Sequence, residues 1–150
     1  MTKPEFPPLF PPGFHTISID EINQICVTNF PRNDKRKELF DNFLKFLKHL
    51  EMVNSKFEIW VDGSFTTEKE EPEDIDILII YDELHLKTLA PGEINIINSL
   101  FNRSLSKIRF NLDVLLCEKN DINQRSYWRG WFGFSRSEQL KGIAKFEYGY

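Results

Sequence analysis

The sequence predicts a small α+β (α/β-like) protein, a mixed β-sheet with helices packed on it. Three observations carry that prediction. A long amphipathic stripe lies ahead of any strand. Two β-rich runs, Lys56–Asp62 and Ile75–Tyr81, then follow one another across a polar loop. A second amphipathic stretch separates them from a third apolar run at 108–117. Helix, strand, turn, strand, helix, strand is the order of a sheet covered by helices.

Each element has a local reason. Five of the eight prolines fall in the first twelve residues, so 1–14 reads as an extended arm. Phe6, Phe10 and Phe14 in it call for packing on the domain. Ser18 and Glu21 have capping-box spacing, and Ile19, Ile22 and Ile25 recur at helical spacing behind them. Asn33 or Asp34 can cap the main helix, whose stripe is Leu39, Phe40, Phe43, Leu44, Leu47 and Leu50. "KFEIWVD" is a strand by its β-branched and aromatic content. "IDILIIY" is almost continuously apolar, which predicts a central strand covered on both faces. Pro91-Gly92 opens a helix with Ile94, Ile97, Leu100 and Phe101 inward. The run 108–117, "IRFNLDVLLC", reads as the third strand.

Composition bounds the function. The 150 residues fit one domain, 1–150, able to bury a core. Hydrophobic content of 41% and charged content of 28% are ordinary for a globular protein, and fourteen phenylalanines predict an aromatic core. No run of about 18 apolar residues exists, so no membrane span is expected. The first residues lack the apolar core of a secretory signal, so the expected location is cytoplasmic. Cys26 and Cys117 are far apart in apolar surroundings and read as buried free thiols, with a disulfide as the alternative. A net charge of −4 argues against general double-stranded DNA binding and leaves room for a local basic groove.

The chemistry concentrates in 63–80, "GSFTTEKEEPEDIDILII". Residues two apart on a strand share a face, so Asp74 and Asp76 point the same way at the head of an apolar strand. Asp113 stands between Leu112 and Val114 in the third run. If these strands are neighbours, three carboxylates converge, and uncompensated burial would cost several kcal/mol. Apart from Arg109, the sequence places no basic residue on the same strand faces. A hard divalent cation such as Mg²⁺ is then the economical partner. Gly63 allows close backbone approach, and the Ser64 hydroxyl with following N–H groups can hold phosphate oxygens.

Gly-Ser, nine residues, Asp-x-Asp in an apolar strand and a later strand Asp resemble the nucleotidyltransferase superfamily of the DNA polymerase β type. The size is similar to its minimal members, the small bacterial nucleotidyltransferases of toxin–antitoxin and antiviral defence loci. The chain also resembles an uncharacterised family of small proteins with this fold. Its features are "PPG" before the first helix, "GSF-x-T-x-K" with "P-x-DID", and a C-terminal "KGI". Here these are Pro11-Pro12-Gly13, Gly63 to Lys69 with Pro72 to Asp76, and Lys141-Gly142-Ile143. The resemblance implies a nucleotidyltransferase fold with Asp74, Asp76 and Asp113 as catalytic and metal-binding residues for one or two Mg²⁺ ions. Gly63, Ser64, Lys69, Arg129 and Lys141 become candidates for nucleotide binding. The implied reaction moves NMP from an NTP, ATP first among them, to a hydroxyl of a protein or RNA acceptor such as a co-encoded toxin.

Other readings stand beside these. Asp74 and Asp76 can mark an exposed strand end, and Gly63-Ser64 an ordinary turn. Lys69 can be a solvated loop lysine among Glu68, Glu70, Glu71 and Glu73. That acidic loop would repel a triphosphate within a Debye length of about 8 Å unless it points away, binds a basic partner or closes as a lid. The tail 124–150 interleaves Trp128, Trp131, Phe132, Phe134, Phe146, Tyr148 and Tyr150 with Arg125, Arg129, Arg136, Lys141 and Lys145. It suits a strand and helix packed on the sheet under arginine stems, and it also suits stacking on bases. A protein that keeps the fold and acts only by binding a partner is the alternative function.

Overall fold

The computed structural model describes residues 4–149. Residues 1–3 of the predicted arm and Tyr150 of the aromatic tail lie outside them. The strands are β1 (Gly13–Thr16), β2 (Lys56–Asp62), β3 (Ile75–Tyr81), β4 (Leu112–Glu118) and β5 (Gly142–Gly149). They form one mixed sheet in the order β1-β5-β2-β3-β4. The β1–β5 and β3–β4 pairs are parallel, and β2 runs antiparallel to both of its neighbours. The fold is α+β, as the sequence predicts.

The sheet separates two layers by the parity of its residues. One face presents Ile59, Val61, Ile77, Ile79 and Val114 to α2 (Asp34–Glu51), α4 (Pro91–Leu100) and α5 (Arg103–Phe110), in the larger core. The other presents Trp60, Leu78, Ile80, Cys117 and Ile143 to Phe132 of α6 (Ile122–Phe132). Two short helices, α1 (Ile19–Asn23) and α3 (Glu83–Leu86), lie at the connections. α1 starts at the predicted capping box, with Ser18 Oγ accepting from the Glu21 N–H at 3.1 Å. It runs straight into a π-helical turn, Gln24–Thr28.

Three expectations are corrected. Leu44 points outward and Phe46 takes the inward position, because the 18-residue α2 rotates its stripe with the true 3.6-residue period. Residues 108–110 are helix, not strand. Asn102 caps α5 through the Leu105 N–H, and Asn111 ends it in the left-handed conformation (φ 55°) before β4 starts. Gly13 and Phe14 of the predicted arm are the first residues of β1. The tail becomes α6 and β5, as its packing reading predicts, and its arginine stems cover aromatics: the Arg129 guanidinium lies 5.4 Å above the Phe14 ring. The arm packs only in part: Phe10 is buried and the Leu9 N–H donates to the Thr66 carbonyl, whereas Phe6, also expected to pack, is exposed. Both cysteines are buried and free. Among the described residues no helix is long and apolar enough to cross a membrane.

Candidate active site

Register brings the aspartates together. Asp76 is paired with Asp113 across the parallel β3–β4 ladder. On its other side Asp76 is paired with Asp62 across the antiparallel β2–β3 ladder. Three carboxylates therefore form a row across three strands, about 4.8 Å apart from strand to strand. Asp74 stands two residues ahead of Asp76 on the same face. Asp62 was not among the residues singled out from the sequence, yet it is the most buried of the four at 3% exposure. Its signal was available: it directly precedes Gly63 and shares the parity of Trp60. Only the β2–β3 register turns that parity into a neighbour of Asp76.

The turn after β2 folds tightly against this row. Gly63 has φ 82° and ψ −164°, a combination closed to residues with side chains. A Cβ there would stand 2.3 Å from Asp76 Oδ2. Residues Ser64–Thr66 form a 3₁₀ turn, and Ser64 is half-buried with its carbonyl accepting from Thr67 Oγ1 at 2.7 Å. This turn is held from beneath by Arg36 of α2, which is fully buried. Its Nη1 donates to the carbonyls of Cys26 (2.8 Å) and Phe65 (2.7 Å), and its Nη2 to those of Thr67 and Lys69 (both 2.6 Å). Further along, the Asn33 side chain donates to the Glu70 carbonyl and that of Asn111 to the Glu73 carbonyl. Glu68, Glu70, Glu71 and Glu73 all face solvent. The acidic loop is thus anchored by its backbone, with its charges turned outward.

Each aspartate but one has a basic partner. Arg103 holds Asp113 with two parallel bonds, Nε at 2.6 Å and Nη2 at 3.0 Å. Lys107 Nζ lies 2.5 Å from Asp74 Oδ2. Lys141 Nζ lies 3.0 Å from the buried Asp62 Oδ2. Asp76 has no ion-pair partner among the described residues. Burial, with Asp74 and Asp113 beside it, pushes its carboxyl up to about 7. Burial also raises Asp62 to about 7, even though Lys141 opposes the shift. The expectation that only Arg109 shares these faces is therefore overturned. Arg109 is on α5 and donates to Ser99 Oγ at 2.9 Å. The helix that the apolar run concealed supplies Arg103 and Lys107 instead.

The predicted nucleotide-binding residues divide. Gly63, Ser64 and Lys141 are at the aspartate row. Lys69 is in the anchored loop and forms no ion pair among the described residues; its carbonyl serves Arg36. Arg129 is engaged with Phe14. The four aspartates supply only hard oxygen donors, the ligand type of Mg²⁺. As their side chains lie, no group of three acidic, His or Cys residues among those described is disposed to hold an ion. Asp74 and Asp113 are turned to their cations, so ligation requires their release. Two clefts of about 440 and 490 Å³ are lined by none of these aspartates; they open where β2 begins and where β3 and β4 end. The row itself lies at the opposite ends of these strands.

Among known proteins, a model described as a family of unknown function (DUF6932) matches residues 4–147. Comparison with curated proteins and with solved structures gives no match.

Proposed function

From the premise that the chain belongs to the DUF6932 family, we propose that it is a Mg²⁺-dependent nucleotidyltransferase. It moves NMP from an NTP, ATP first among them, to a hydroxyl of a protein or RNA acceptor, in a cytoplasmic setting. One observation carries this reading. Asp76 and Asp113 are paired across adjacent strands, Asp74 is two residues away, and the Gly63-Ser64 turn is folded onto Asp76 with no room for a side chain. A structural strand end has no need for a glycine turn packed against its charge.

Asp74, Asp76 and Asp113 are the residues that would hold Mg²⁺. The ion would supply positive charge against the phosphates and ease loss of the acceptor's proton. Ser64 Oγ has no hydrogen-bond partner among the described residues and is free to donate to a phosphate oxygen. Asp113, once free of Arg103, can accept the proton of the attacking hydroxyl. The hydroxyl oxygen bonds to the α-phosphorus, the bond to the β-phosphate bridging oxygen breaks, and pyrophosphate leaves.

The test is label transfer from each α-labelled NTP with Mg²⁺ to total RNA or a co-encoded protein, beside an Asp74→Ala/Asp76→Ala double variant. Transfer by the wild type alone is expected. No transfer to any acceptor, with no Mg·NTP binding by calorimetry, sinks the enzyme reading. A second reading, a protein that binds a partner without catalysis, draws support from the cations already seated on Asp74 and Asp113. Capture of the partner with equal affinity by wild type and the double variant would favour it.

A further inference from the structure

The seated cations lead further, on the nucleotide-transfer reading. We propose that Arg103 and Lys107 are exchange cations. They hold Asp113 and Asp74 while no metal is bound, and they turn to the phosphates of the nucleotide when a divalent cation takes those carboxylates.

Three observations support the exchange. Arg103 and Lys107 are four residues apart in α5, so they lie on one helix face and move with one element. Their side chains are 65% and 45% exposed, while the carboxylates they hold are 24% and 25% exposed. The Lys107 pair, with so exposed a cation, is weak; the two-pronged Arg103 pair is stronger, yet its cation faces solvent and a hard divalent ion can compete for its carboxylate. The third pair differs: Lys141 and Asp62 are 16% and 4% exposed, and breaking it would strand a buried charge. The site therefore has one fixed ion pair and two loose ones.

Charge conservation points the same way. Among the described residues four carboxylates face three cations, and Asp76 is left without one. One divalent ion carries the charge of the two loose cations together. Its arrival would replace them on the carboxylates charge for charge and leave two freed positive groups beside it, an excess of positive charge that would attract the phosphates of a nucleotide. The forked guanidinium of Arg103 already makes a two-pronged contact with a carboxylate, and the same geometry fits a phosphate.

The experiment titrates Mn²⁺ alone into wild type, Arg103→Met, Lys107→Met and, as a control on the same helix, Arg109→Met. Removing a competing cation should tighten Mn²⁺ binding about fivefold, the size of an exposed ion pair. Arg109→Met should leave it unchanged. ATP is then titrated at saturating Mn²⁺, where the carboxylates are already taken. Here Arg103→Met and Lys107→Met should weaken ATP about tenfold. The opposite signs are the signature. Unchanged Mn²⁺ affinity in both variants, an equal shift in Arg109→Met, or unchanged ATP affinity overturns the exchange. If the wild type binds both probes and the variants do not shift, the inference alone falls. If neither wild type nor variants bind either probe, the nucleotidyltransferase reading falls with it.

Discussion

At the scale of the residue, Gly63 is the tightest constraint on the site. Two costs meet there: a backbone conformation reserved for glycine and a Cβ position occupied by Asp76 Oδ2. Gly63→Ala should destabilise the fold by about 2 kcal/mol in urea unfolding. Adding Asp76→Ala should return the steric part, about 1 kcal/mol, and leave the backbone part. Strictly additive losses would show that Asp76 gives way without cost. Gly63, Ser64 and the three aspartates were legible because each has a characteristic neighbour: a turn, a β-branched run, an apolar flank. Asp62 was not, because its role depends on which residue of β3 lies opposite. Twelve loop residues, 63–74, leave that register open, and only the packed sheet closes it.

At the scale of the element, α2 does more than cover the sheet. Its first turn carries Arg36 into the core, where backbone carbonyls take the place of a counter-ion and the Phe30 ring stacks 3.8 Å away. Arg36→Met should cost about 3 kcal/mol, since it leaves the carbonyls of Phe65, Thr67 and Lys69 short of donors. Hydrogen exchange should speed up locally across 64–70. Arg36→Lys should recover less than half, because one ammonium cannot copy the fork. Unaltered exchange in the loop would remove Arg36 as its anchor. Helix and strand types were legible wherever periodicity was clean, as in α2, β2 and β3. The 108–117 run failed because an exposed helix turn with Ile108 outward abuts a strand, and the two apolar patterns merge. Asn102 and Asn111, a cap and a left-handed stop, were the marks of that boundary. The carboxylates' partners were lost with it.

At the scale of the whole molecule, the aspartate row makes stability depend on pH. Asp62 and Asp76 are raised to about 7 in the folded state, against about 3.9 unfolded. Between these values the folded protein keeps protons that the unfolded chain releases. Stability should therefore fall as pH rises from about 4 to 7 and then level off. Glu5, Asp82 and Glu93 are shifted down, so their contributions change at or below the ordinary carboxylate range, at the acid edge of that window. Urea unfolding without divalent ions should give a stability on the order of 2 kcal/mol higher at pH 5 than at pH 8. Asp76→Asn should flatten that slope and raise stability at pH 8. A slope of the opposite sign would mean that the row is solvated in solution.

The pairing of β1 with β5 has a consequence for how the chain is made. β5 fills the slot between β1 and β2, and the arm's backbone crosses so close to it that a Cβ on Gly142 would stand 2.1 Å from the Pro11 carbonyl oxygen. The "PPG" and "KGI" segments are thus two sides of one seam, with Gly13 in register with Gly142. During synthesis β1 has no strand to join until residues 142–149 have left the ribosome. The docking of β5 that completes the sheet also brings Lys141 to Asp62.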